Sequence, residues 1–194
     1  MGYAISWLAV RESISGPLLE ELGLSATGEM DQQYESLYTG RALPTGWFIL
    51  LIDKCQHKFV QPSALEALSK LGDVIACSIE EHVMWSSAEL WSNGAPVWSI
   101  EHDAQIGMSH IAASGTLPDV YSAIEGRFVA QQEESGGDES DVDYIFEIPL
   151  QVAKTIAGFK HDDAPTDEGQ FVVFTEKTSS SPADSAASKK KRPW

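Results

Sequence analysis

Cysteine is scarce in this chain of 194 residues, which contains only Cys55 and Cys77. Two thiols without paired spacing do not make the disulfide framework of a small secreted scaffold. No window reaches the roughly 18 consecutive apolar residues that a membrane-spanning helix needs. The first residues lack both a basic segment and a cleavage site of small residues, so they predict a strand and not a signal peptide. These absences favour a soluble, cytoplasmic protein.

Basic residues are also few, since the chain has 13 lysines and arginines against 29 acids and a formal net charge of -16. Four of the basic residues, Lys189–Arg192, and a single acid, Asp184, lie beyond residue 177. The preceding body therefore holds 9 basic and 28 acidic residues, a charge of about -19. Such a body repels phosphate backbones, which argues against nucleic-acid binding and favours a basic protein partner, although solubility alone also explains it.

The motifs of common catalytic and cofactor sites are missing as well. The sequence has no HExxH, paired CxxC, GxGxxG, Walker A or GxSxG segment. Cys55 and His57 lie near the end of a predicted strand, but no defined third residue completes a nucleophilic pair. No cofactor is predicted.

Hydrophobic patterns predict an α+β fold, with helices packed on one face of a mainly antiparallel, mixed sheet. Strands are predicted over residues 3–10, 46–53, 73–79, 142–148 and 171–175, with a short strand within 35–42. Helices are predicted over residues 15–23, 63–72, 117–128 and 149–158, most of them ending at a glycine. Residues 25–45 are otherwise polar and rich in turn formers.

The chain is predicted to form one globular domain over residues 1–177. Within this domain the acidic Gly/Ser segment 131–141 is predicted to be a mobile loop. Residues 178–194 are rich in Ser, Ala and Lys and predict a disordered tail with a basic end.

A central β-hairpin is predicted around Asn93-Gly94, because this pair lies between two alternating runs. If these two residues form the turn, the cross-strand pairs are Trp91 with Pro96, Glu89 with Trp98, and Trp85 with His102. The three tryptophans then share a face, and they either pack in the core or form an exposed patch for a partner. Pro96 suggests an edge position or a bulge, and a shift of one residue would exchange the faces.

Three acid–histidine clusters carry the possible chemistry, at residues 80–82, 101–103 and 161–163. Carboxylates and imidazoles bind divalent metals, and a His–carboxylate pair is suited to general base catalysis. The alternative function is therefore a metal-assisted hydrolase or metal-binding protein that uses His82, His102, Asp103, His161 and Asp162. This alternative requires the side chains to converge.

Several segments resemble those of an uncharacterised family of conserved bacterial hypothetical proteins. They are Glu80-Glu81-His82-Val83-Met84, Trp98-x-Ile100-x-His102-Asp103, Asp143-Tyr144-x-Phe146-x-Ile148-Pro149-Leu150 and Gly158-Phe159-x-His161-Asp162, within residues 46–163. The resemblance implies a bacterial cytosolic protein. The family has no known activity, so no site is carried over.

The sequence thus favours a non-enzymatic protein-binding module that engages a basic partner through its acidic surface. Small acidic α+β proteins are similar in composition to immunity proteins, so an immunity or adaptor role is expected. The candidate partner-binding residues are Glu80, Glu81, Glu89, Trp91, Trp98 and Glu101. A structural or oligomeric role of the hairpin edge is a further alternative, and the oligomeric state is left open.

Overall fold

The computed structural model describes residues 2–31, 35–163 and 170–177. Its centre is an open sheet of nine strands: β1 (Ala4–Arg11), β2 (Leu24–Asp31), β3 (Tyr38–Ala42), β4 (Trp47–Ile52), β5 (Val74–Glu80), β6 (Trp85–Ser92), β7 (Ala95–Asp103), β8 (Ala112–Gly115) and β9 (Phe171–Glu176). The strand order is β2-β9-β3-β4-β1-β5-β6-β7-β8, and neighbouring strands pair antiparallel. This arrangement confirms the α+β class.

In the described part of the chain, four α-helices accompany the sheet: α1 (Ser15–Glu21), α2 (Pro62–Leu68), α3 (Tyr121–Glu134) and α4 (Glu147–Ala157). Short 3-10 helices cover Glu12–Ile14, Lys58–Val60 and Gly137–Glu139. None of the described helices has the length and apolar character that crossing a membrane requires.

The helices pack on both faces of the sheet, so the prediction of a single covered face is wrong. Trp7 of β1 lies in an apolar cluster with residues of α3 and α4. Its neighbour Leu8 lies in a second cluster with residues of α1 and α2. The physical reason is that β1 and β4 are apolar on both sides, and all six residues of β4 are buried. A strand of that kind must be covered twice.

Residues 142–148 do not form the predicted strand. Asp143 instead precedes a turn, where its Oδ1 accepts a hydrogen bond from the Phe146 N–H at 3.0 Å, and α4 begins at Glu147. Helix α3 continues to Glu134, into the predicted loop. The mobility of residues 131–141 stays a prediction, and the predicted tail lies outside the described residues.

Candidate functional site

Strands β6 and β7 pair antiparallel, with Asn93 and Gly94 between them at φ of 52° and 80°. Positive φ at both positions is the backbone that an Asn-Gly turn provides. Trp91 lies opposite Pro96 as predicted, but the register shifts by one residue beyond that pair, as at a β-bulge. Trp85 therefore lies opposite Asp103, and the predicted pairing of Trp85 with His102 is wrong. Proline beside the turn fits a bulge because it cannot donate a ladder hydrogen bond.

The shift places the two candidate tryptophans on opposite faces of the sheet. Trp98 is 2% exposed in the cluster under α3 and α4, and Trp91 is 8% exposed in the cluster under α1 and α2. The Trp91 indole donates to Glu89 Oε2 at 2.6 Å. Trp91 and Trp98 are therefore core residues, and they do not form the exposed aromatic patch that the sequence left open.

His102 is buried within the sheet and is held on both ring nitrogens. Nδ1 lies 2.6 Å from the His110 carbonyl oxygen, and Nε2 lies 2.8 Å from Asp143 Oδ2. The His102 and Asp143 side chains are 0% and 3% exposed. Because a carbonyl oxygen only accepts, Nδ1 is the donor of the hydrogen bond to His110. The pair resembles a catalytic dyad, but its burial indicates a structural role.

The other two histidines lie in separate settings. His82 is exposed and its Nδ1 lies 2.7 Å from Glu80 Oε1. His161 is buried, with Nε2 3.3 Å from Glu81 Oε1, and the same carboxylate accepts from the Tyr3 N–H at 2.8 Å. Glu81 is thereby committed to an internal contact rather than to a partner.

The predicted metal ligands are not brought together. The backbone N–H of Asp103 bonds to His110 Nδ1, whereas Asp162 forms an ion pair with Lys160. The pKa of Asp162 is lowered, because the Lys160 contacts outweigh the burial that would raise it. Among the described residues no group of three His, Cys, Asp or Glu side chains is placed to hold a metal ion. A metal centre built from the five candidate residues has no geometric support.

Three of the candidate acids instead line an open groove on the sheet face that carries α2. We call this feature the acidic groove. It consists of two adjoining cavities of about 270 and 250 Å³ that share Gln56 and Trp85. Its floor is formed by β5–β7 and its wall by residues 55–62. The side chains that line it include Glu80, Glu89, Glu101, Ser78, Ser87, Ser99, Trp85 and Gln61.

The strand register explains why these side chains meet. Ser78 of β5 pairs with Ser87 of β6, which pairs with Glu101 of β7. Ser99 lies opposite Glu89. Side chains of paired residues stand on the same face at about 5 Å, so the row of small serines leaves a hollow between the longer glutamates. The hollow is a consequence of side-chain size along neighbouring strands.

The groove carries uncompensated negative charge. In the part of the chain that the structure describes, no lysine or arginine forms an ion pair with Glu89 or Glu101. Burial raises the pKa of Glu89, and the charge of Glu101 raises it further against the opposing Trp91 hydrogen bond. A carboxylate whose ionisation is disfavoured in this way gains from a cation placed beside it.

Cys55 at the rim of the groove is not an activated nucleophile. Burial and the charge of Glu80 raise the pKa of its thiol to about 11. Its neighbour His57 accepts from the Phe59 N–H at Nδ1 and faces the Tyr38 hydroxyl at Nε2. Burial and nearby lysines lower the pKa of His57. The two residues therefore do not form a thiolate–imidazolium pair.

The substitution Glu89→Gln is expected to stabilise the protein at pH 7. The raised pKa means that the folded state favours protonated Glu89, so ionisation penalises folding once the pH rises through the folded pKa. The gain should be up to about 1 kcal/mol at pH 7 and should vanish near pH 4. Urea unfolding at both pH values measures it. Glu133→Gln on the exposed surface of α3 is the control, and an equal gain there would contradict the interpretation.

Gln56, Gln61 and Ser78 line the groove but were not candidates from the sequence. Gln56 and Gln61 reach it through the packing of residues 55–62 against the sheet, and Ser78 reaches it through its pairing with Ser87. The alternation of β6 correctly placed Trp85 and Glu89 on one face. No family model, curated protein or solved structure matches this chain.

Proposed function

We propose that the protein is a non-enzymatic binding module whose acidic groove receives lysine or arginine side chains of a basic protein partner. The observation that carries the proposal is the pair Glu89 and Glu101, which face an open cavity and have no cationic partner within the described residues. An immunity or adaptor role is the form of binding that we favour.

The size of the groove supports a protein ligand. It consists of two shallow, adjoining cavities of about 270 and 250 Å³. They are suited to single side chains that a larger partner inserts. The groove is also open along β7 towards β8, whose four residues are all exposed, so a polypeptide has room to lie along it.

The chemistry of the lining supports a cationic side chain. Glu89 and Glu101 supply charge, and Trp85 supplies an aromatic surface on which a guanidinium or ammonium group can stack. Ser87, Ser99 and the Gln61 amide supply oxygen acceptors for the remaining donor hydrogens. All of these groups except Gln61 stand on paired strands, which preorganises them.

The net charge of the chain supports rapid association with such a partner. A formal charge of -16 attracts cations from a distance, and the attraction is screened over about 8 Å at physiological salt. Electrostatic steering mainly raises the association rate, so the affinity should fall as salt is added.

Binding of fluorescein-labelled hexalysine, followed by fluorescence anisotropy, tests the proposal. We expect saturable binding that weakens at least tenfold between about 25 and about 500 mM salt, because the contacts are charge pairs at a partly open site. Labelled hexaserine is the matched control and should not bind. Equal binding of both peptides, or hexalysine binding that does not respond to salt, would contradict the proposal.

A further inference from the structure

We infer that the basic segment Lys189–Arg192 of this same chain occupies the acidic groove in the absence of a partner. The segment then acts as an internal competitor that a basic partner must displace. This inference rests on the proposed function, because both need the acidic groove to bind cations.

Charge complementarity selects this segment as the occupant. Lys189, Lys190, Lys191 and Arg192 are four consecutive cations, whereas the body holds 9 basic residues spread over 177 positions. Several body lysines are already engaged, such as Lys154 with Asp163 and Lys160 with Glu147. The groove presents three glutamates along its length. The densest positive charge of the chain thus complements the carboxylates of the groove.

The last residues of β9 present side chains on the groove side of the sheet. Phe174 of β9 lies in the apolar cluster under α1 and α2, on the face of the sheet that carries the groove. Two residues later, Glu176 accepts from the Tyr38 hydroxyl at 2.7 Å and pairs with Lys58 at 2.6 Å. Lys58 begins the 3-10 helix that ends at Val60, a residue of the groove wall. The end of β9, at Glu176, therefore adjoins the wall of the groove.

The segment Lys189–Arg192 can span the distance from β9 to the groove. A single row of paired residues crosses the sheet from β9 to the groove: Phe174, Tyr38, Ile52, Ser6, Ser78, Ser87 and Glu101. Six strand spacings of about 4.8 Å make this path roughly 29 Å. The twelve residue-to-residue steps from Lys177 to Lys189 can span at most about 40 Å. The segment can reach Glu101 without being fully stretched.

Tethering makes even a weak contact effective. A short linker presents a tethered ligand at an effective concentration of about 1 mM. If the free segment bound with a dissociation constant of about 0.1 mM, the tethered segment would compete with an external peptide and weaken the binding of that peptide about tenfold. Salt would relieve this competition because it weakens both contacts.

The test uses the full chain with the tail charge removed by Lys189→Gln, Lys190→Gln, Lys191→Gln and Arg192→Gln together. Hexalysine should bind this variant about tenfold more tightly than the wild type at low salt. The amide NMR signals of Ser78, Ser87, Ser99 and Glu101 should differ between the two proteins at low salt and coincide at about 500 mM salt. Arg127→Gln with Lys154→Gln, on the helices of the opposite face, is the control and should leave hexalysine affinity unchanged.

The outcomes separate the inference from the proposed function. If hexalysine binds both proteins equally and the groove amides do not differ, the tail is not the occupant and the inference is overturned, whereas the proposed function stands. Differences confined to amides outside the groove would overturn it as well. If hexalysine binds neither protein, both fail.

Discussion

The substitution Asp143→Ala is expected to lower the free energy of unfolding by about 3–5 kcal/mol, the usual cost of breaking a buried ionic pair. Asp143 Oδ2 lies 2.8 Å from His102 Nε2, and the side chains are 3% and 0% exposed. Its Oδ1 also accepts from the Phe146 N–H at the start of α4. Alanine would leave the Nε2 atom of His102 and the Phe146 N–H buried without their partners.

Asp143→Asn is the matched variant and should cost less than about 1.5 kcal/mol. Its side-chain oxygen can accept from Phe146, while its NH₂ donates to unprotonated Nε2 of His102. Urea unfolding measures both variants. A value for Asp143→Ala within about 1 kcal/mol of the wild type would show that the pair is not structural. Hexalysine binding by Asp143→Asn should be unchanged, since Asp143 lies outside the acidic groove.

The double substitution Glu89→Gln with Glu101→Gln is expected to weaken hexalysine binding roughly 30-fold at low salt. A unit charge pair at about 4 Å in a water-like dielectric contributes about 1 kcal/mol, and two such pairs give about 2 kcal/mol. Glutamine keeps the size of each side chain and can accept the Trp91 indole hydrogen bond that Glu89 accepts. The loss therefore reports charge and not shape.

The control for this prediction removes the same charge elsewhere. Glu133 and Glu134 are exposed at the end of α3, on the opposite face of the sheet. Their double replacement by Gln should change hexalysine affinity less than threefold, since a screened charge at long range contributes little. Equal losses in the two double variants would mean that net charge alone attracts the peptide, and the groove would lose its role.

The central part of the fold was accessible from the sequence. Apolar runs predicted β4 and β5 almost to the residue, because strands buried on both faces need apolar side chains throughout. The prediction of a strand over residues 142–148 was wrong. The alternation of these residues suits a strand, but a long-range contact determines their conformation. Asp143 meets His102, 41 positions away, and this contact fixes a turn in place of a strand. Local pattern carries no information on such a partner.

The candidate site was only partly accessible. Glu80, Glu89 and Glu101 were named as partner-binding residues, and all three line the acidic groove. Trp98 was misplaced because a bulge of one residue reverses the faces of the remaining strand. His102 and Asp103 looked like one cluster, but adjacent strand residues point to opposite faces.

The most direct test of the acidic groove as the binding site is a titration of the full chain with hexalysine, monitored by amide NMR shifts. We expect the largest shifts at Ser78, Ser87, Glu89, Ser99 and Glu101, and we expect about 500 mM salt to abolish them. Shifts concentrated on α3 and α4, or spread evenly over the acidic surface, would contradict the claim that the groove is the binding site.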